Sequence, residues 1–226
     1  MHHLKTGFLI IALLVVSFAG YAVTVKSNPE PEVLRGASMK TAFSAGEAST
    51  TTATETYTFD PAHSTIGFSV RHLVINNVPG RFKEYKGTIQ YDSADLAKSS
   101  VEFTAQVTSI DTGIQPRDNH LRSADFFDVA KFPDMTFKST KIERKGKDAF
   151  VAHGTFTLKG ISKEITIPFN LYGPIKDPWG KMRIGVDAGL TINRQDYGLT
   201  YNQALEGGGL VVSNEVKIQL NIEAVK

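Results

Sequence analysis

The sequence predicts an all-β fold, a single antiparallel barrel of about eight strands with one short helix. Three observations carry this. Apolar residues recur at every second position from Tyr57 onward, the links between these runs are short, and one run, Lys181 to Arg194, outlasts an ordinary strand. At about 3.3 Å per residue that run spans roughly 46 Å. Long, regularly alternating antiparallel strands point to a closed barrel, with a seven-strand sandwich as the competing architecture because it uses the same alternation.

In chain order, Lys5 precedes an apolar run from Phe8 to Phe18 with a single hydroxyl, at Ser17, and the small residues Gly20 and Ala22 follow. This is the layout of a secretory signal, with cleavage expected after Ala22. Apolar character continues to Val25, about 18 residues from Phe8, which approaches the length that crosses a bilayer. Residues 1–25 therefore read as a signal peptide, with an uncleaved membrane anchor as the alternative. Both place the domain outside the cytoplasm, periplasmic or secreted, and the second adds membrane association. Residues 26–55 are rich in Ser, Thr, Ala, Glu and Pro and hold too few apolar side chains to bury, so they read as a disordered linker. Residues 56–226 remain for one domain.

Within that domain Ile66, Phe68 and Val70 alternate with Gly67, Ser69 and Arg71, and Gly80 to Tyr91 forms a less regular strand. Val101, Phe103, Ala105 and Val107 define the next. A brief helix is expected around Pro116 to Ala124, since proline suits a first helical turn. Met135–Ile142 and Phe150–Leu158 are joined by a turn at 143–147. Ile165, Ile167, Phe169 and Leu171 form another inner face. The longest belongs to Met182, Ile184, Val186, Ala188, Leu190 and Ile192, and the last to Val216, Ile218, Leu220 and Ile222. Gly207–Gly209 reads as a flexible loop between the final two strands.

Composition removes several classes of function. Net charge is +2 and residues 1–56 hold four basic and four acidic groups, so the chain lacks the basic excess of a nucleic-acid binder. With no cysteine there is no disulfide, thiolate metal site or cysteine nucleophile. His63, His72, His120 and His153 show no metal-ligand spacing, and no nucleophile elbow is present. The expectation is a protein that is not an enzyme and needs neither metal nor cofactor.

Several positions invite a binding role. A barrel of about eight strands is either filled by side chains or holds one small ligand. Phe68, Val70, Phe103, Val186 and Leu190 fall on inner faces. His72 is in register with Ile66, Phe68 and Val70, and reads either as a satisfied core histidine or as a contact for a ligand headgroup. Arg194 follows Ile192 by two and so turns inward; a buried guanidinium requires a partner, either Asp196, Asp118 or a ligand phosphate or carboxylate. Arg117, Asp118 and His120, with Phe126 and Phe127, form either a barrel mouth or a capped helix lying on the barrel, and with Phe132 the two phenylalanines plug or line one end.

The punctuation between strands carries a resemblance. Asp60-Pro-Ala-His-Ser-Thr-Ile-Gly-Phe68, Val70-Arg-His-Leu73 and Ser109-Ile-Asp-Thr112 are followed by Arg117-Asp-Asn-His-Leu-Arg-Ser-Ala-Asp-Phe-Phe-Asp-Val129, Phe132-Pro-Asp-Met-Thr-Phe-Lys-Ser139, Gly154-Thr-Phe-Thr-Leu-Lys-Gly160 and Ile192-Asn-Arg-Gln-Asp-Tyr-Gly198. In this order they resemble the YceI-like family over about Thr56 to Val225. The resemblance implies a lipocalin-like barrel in the bacterial cell envelope that binds, sequesters or carries a long-chain amphipathic lipid, such as a polyisoprenoid, without chemistry. The expected ligand-binding set is then Phe68, Val70, His72, Phe103, Asp118, His120, Phe126, Phe127, Val186, Leu190 and Arg194. A barrel with a filled core, acting as an envelope stress or interaction protein through its rim, is the alternative. Oligomeric state is left open.

Overall fold

A computed structural model describes residues 54–204 and 210–226. The export segment, nearly all of the linker and Gly207–Gly209 lie outside the described residues. Eleven strands and one α-helix follow in order: β1 (Glu55–Phe59), β2 (Thr65–His72), β3 (Asn76–Phe82), β4 (Tyr85–Tyr91), β5 (Ser100–Gln106), β6 (Ile110–Asp111), α1 (Gln115–Arg122), β7 (Asp134–Arg144), β8 (Ala149–Leu158), β9 (Ile161–Lys176), β10 (Met182–Asn193) and β11 (Val212–Val225).

Every pairing is antiparallel, as short links require. The ring β1-β4-β5-β7-β8-β9-β10-β11 closes on itself through Thr58↔Val225 and Phe59↔Ala224. The remaining strands extend three members of this ring. β2 continues β1 along β11, β3 leads into β4, and β6 continues β5, so eight long strands, three of them bent, make the barrel. Serines bridge two of the breaks. Ser64 Oγ donates to Glu223 O and accepts from Glu223 N at the first bend, and Ser109 Oγ accepts from Lys83 N and Glu84 N where β3 gives way to β4. Such interruptions let a strand coil enough to close a barrel without stranding backbone groups.

The topology gives the barrel two distinct ends. One holds the start of β1, the β7–β8 and β9–β10 hairpins and the C-terminus; we call it the basal end. The other, the helical end, holds the β2–β3 tip, α1, and the segment after Asn193. Helix α1 is too short to persist alone. Arg122 fastens it through Nε to Thr108 O and Nη2 to Ile110 O, both at 2.7 Å, and Arg117 through Nε to Thr112 Oγ1 and Nη2 to Thr112 O, also at 2.7 Å. These bonds hold Leu121, Phe126 and Phe127 over the barrel.

Inner faces match the alternation. Phe150, Ala152, Gly154, Phe156 and Leu158 of β8 are all buried, while the residues between them are not. The wall is thinned locally by glycine. A Cβ at Gly80 would stand 2.3 Å from Phe68 Cζ, and one at Gly87 2.5 Å from Phe59 Cε2, so both rings lie flat against the neighbouring strand. The inward residues of β10, Val186, Ala188, Leu190 and Ile192, are only partly buried although they face the centre. They border open space.

Candidate ligand-binding channel

Three apolar cavities succeed one another along the barrel axis. The basal one, about 80 Å³, is bordered by Phe59, Phe150, Phe169, Leu171 and Val186 among others. A second of about 40 Å³ shares Ile66, Phe103, Ile167 and Leu220 with it and adds Leu190. A third, about 100 Å³ at the helical end, shares Phe68, Phe82, Met135, Phe156 and Ile218 with the second and reaches Val70, Phe126, Phe127 and Arg194. About 10–15 Å³ suffices for one water, yet water needs polar partners that these walls scarcely supply. Together they form a pinched, apolar channel along the barrel axis, narrowest at its middle cavity.

Of the residues expected at a binding site, Phe68, Val70, Phe103, Phe126, Phe127, Val186, Leu190 and Arg194 border this channel. His72, Asp118 and His120 are not among the bordering residues. His72 is the last residue of β2, paired with Asn76 and Val212 where the hairpin turns, and it is half-buried. Asp118 is buried, but its Oδ1 is committed to Thr112 N, at 3.0 Å, and Thr112 Oγ1. His120 lies 3.1 Å from Asp125 Oδ2 and packs edge-on against Phe126 and Tyr201. Both serve the α1 cap. Phe126 and Phe127 follow from that cap; Phe132 instead packs over Gly160.

Arg194 corrects another expectation. It is 3% exposed, yet neither proposed carboxylate reaches it: Asp196 sits 3.9 Å from Lys163, and Asp118 is occupied by Thr112. The guanidinium donates instead to carbonyls, through Nε to Ser213 O at 2.9 Å, through Nη1 to Leu199 O, and at long range through Nη2 to Val212 O and Asn214 Oδ1. Carbonyls satisfy donors without cancelling the charge, and burial lowers the pKa of this arginine from its ordinary value. The channel therefore ends at a cation with no counter-charge among the described residues.

Arg183 was the residue that alternation made unremarkable. It points outward at the basal end and donates through Nε to Asp177 at 2.7 Å and through Nη1 to Asp60 at 2.9 Å and to Glu223. Asp60, His63 and Glu223 bring their polar atoms within 4.8 Å of one another, a spacing that suits a metal ion. The Arg183 Nη1 already bridges two of those three, so its charge stands where a metal would. No local sequence signal distinguishes it, because its partners come from 123, 6 and 40 residues away.

A closed eight-strand barrel with apolar cavities along its axis and, among the described residues, one buried cation defines a lipocalin-like architecture. The profile of the YceI-like domain matches residues 57–224, and the chain belongs to the YceI-like family. A UPF0312 protein of Shewanella baltica is 35% identical over 73% of this chain and 83% of its own length, and one of Staphylococcus aureus 37% over 74% and 95%. Among solved structures, the Campylobacter jejuni YceI protein has 34% identity and a TM-score of 0.60 over 74% of this chain and 95% of that one. A polyisoprenoid-binding domain from Saccharophagus degradans shares the fold, at 18% identity and a TM-score of 0.57 over 74% and 97%.

Proposed function

We propose that this protein binds a long-chain amphipathic lipid, a polyisoprenoid or one of similar build, in the barrel and carries or sequesters it in the bacterial cell envelope without chemistry. The observation that carries this is the run of three adjoining apolar cavities ending at Arg194. A filled-core scaffold would have interdigitated side chains at crystalline density there. Phe68, Phe103, Val186 and Leu190 supply apolar contact to a chain, and Arg194, which has no counter-charge among the described residues, favours a phosphate or carboxylate at its polar end. The reading requires no metal or cofactor. The apolar residues 8–25 support an envelope location, by export or by anchoring.

Native mass spectrometry of protein purified from its own host should find a co-extracted lipid. Each buried methylene contributes about 0.8 kcal/mol gross, so affinity should rise with chain length until the channel is full. Equal affinity for short and long chains bearing one headgroup would refute a channel site.

A further inference from the structure

We propose that the β9–β10 hairpin is a docking surface that seats the basal end of the barrel on an anionic phospholipid bilayer. Trp179 at its tip is 82% exposed, Ile175 63% and Tyr172 50%. Large side chains left this bare on one projection mark an interaction site, and Trp and Tyr suit a bilayer interface in particular, having an apolar body and a polar edge. Beyond Leu171, whose N–H donates to Asp148 O, β9 has no strand on its β8 side among the described residues, so the hairpin projects past its neighbour.

Charge selects the occupant. Lys176 and Lys181 flank the tip, and Arg144, Lys145 and Lys147 stand exposed on the adjacent β7–β8 hairpin. Glu143 is engaged by Lys141 and Lys145, and Asp177 by Arg183; Asp148 is the remaining exposed acid of the two turns. Apolar tips collared by cations match anionic headgroups over an apolar interior. The other end also exposes Leu73, Val74 and Ile75, but the β2–β3 hairpin that carries them has a single exposed cation beside the tip, Arg71, against the five at the basal end.

Two further features agree. The tip is held in shape, since Asp177 Oδ1 accepts from Trp179 N at 3.0 Å and Lys181 N at 2.9 Å while its Oδ2 accepts from Arg183. The 53 residues before the described barrel, which include the apolar run 8–25, join it at Glu55, on the same basal end. The inference goes beyond lipid binding in the channel and does not depend on it.

Trp179 is the sole tryptophan, so its emission reports on the hairpin even in the full chain with its apolar N-terminus. Adding vesicles containing phosphatidylglycerol should shift the emission to shorter wavelength, and brominated lipid chains should quench it; pure phosphatidylcholine vesicles should do less. K176Q/K181Q, at two exposed sites, should weaken the response roughly 25-fold, at about a factor of five per lysine. Unchanged emission from chain that sediments with the vesicles overturns the proposal, as does a shift that follows protein concentration without lipid, which would mean self-association. Lipid co-purifying with the K176Q/K181Q variant reads the channel separately, so failure of one proposal is distinguishable from failure of the other.

Discussion

Strand β10 has an arginine near each end, and the two stand under opposite electrostatics. Arg183, at the basal end, meets three carboxylates, which push its pKa above the ordinary value. Arg194, just past the helical end, meets only carbonyl and amide oxygens among the described residues, and desolvation moves its pKa down. The first is a closed unit that ties β1, the β9–β10 turn and β11 together. The second keeps its charge available beside an apolar cavity. An arginine that spends its charge within the fold is a structural tie, whereas one that satisfies only its hydrogen bonds is equipped for an outside anion.

The sharpest way to break this contrast is Arg194→Met. The change keeps much of the volume but takes this donor from the Leu199 and Ser213 carbonyls, while Val212 O retains Asn202 Nδ2 at 2.7 Å. Relief of the buried charge offsets part of the loss, so stability should fall by about 2 kcal/mol. Affinity for an anionic lipid should fall at least about tenfold more than that for a neutral one of equal chain, since a charge-assisted contact is lost. Arg194→Lys keeps the charge without the planar fork and should retain part of that preference. Equal losses for anionic and neutral lipids would remove Arg194 from the site.

Period-two alternation places Val186 and Leu190 inside because side-chain direction in a strand follows from sequence spacing alone. It carries one residue past β10 to Arg194 and fails further from the strands. His72 closes β2, and Asp118 and His120 lie on a helix held by contacts to β6 and Tyr201, so no strand register governs them. β3 was legible only from Gly80 because Asn76-Asn-Val-Pro-Gly80 carries turn-forming residues in a strand, tolerated where Phe68 covers Gly80. The partners of Arg194 were illegible for another reason. Any residue offers a carbonyl, so a carbonyl cage leaves no compositional trace, whereas a carboxylate partner would have.

Between the two arginines, the inner face of β10 is the place to sharpen the reading. Leu190→Trp adds bulk at the narrow middle cavity of about 40 Å³, where Phe103 and Phe156 stand opposite. Overpacking costs about 1–3 kcal/mol, and the folded fraction should lose most of its co-purified lipid. Thr191→Trp, on the exposed face of the same strand, should leave occupancy unchanged. Full occupancy in folded Leu190→Trp would show that the ligand chain does not pass this constriction.

The smallest expected effect lies at Arg183, where partial exposure lets solvent screen the ion pairs. Its signature is a pH dependence. Hydrogen bonds from His63 first and Arg183 second hold Asp60 down at about 2, below its ordinary value of 3.8. A carboxylate depressed in the folded state contributes stability above its unfolded pKa and loses it as pH falls through the folded one. Arg183→Met should therefore melt below the parent protein at neutral pH. The gap should hold down to about pH 4 and then narrow toward pH 2 as the parent loses the same term. Because His63 contributes most, a residual acid slope should survive in Arg183→Met and shrink further when His63→Gln is added. Melting curves from neutral to acid pH test this. A gap that stays constant across the acid range would mean that Arg183 supports the basal end by packing of its stem, and the contrast with Arg194 would then rest on burial rather than on charge.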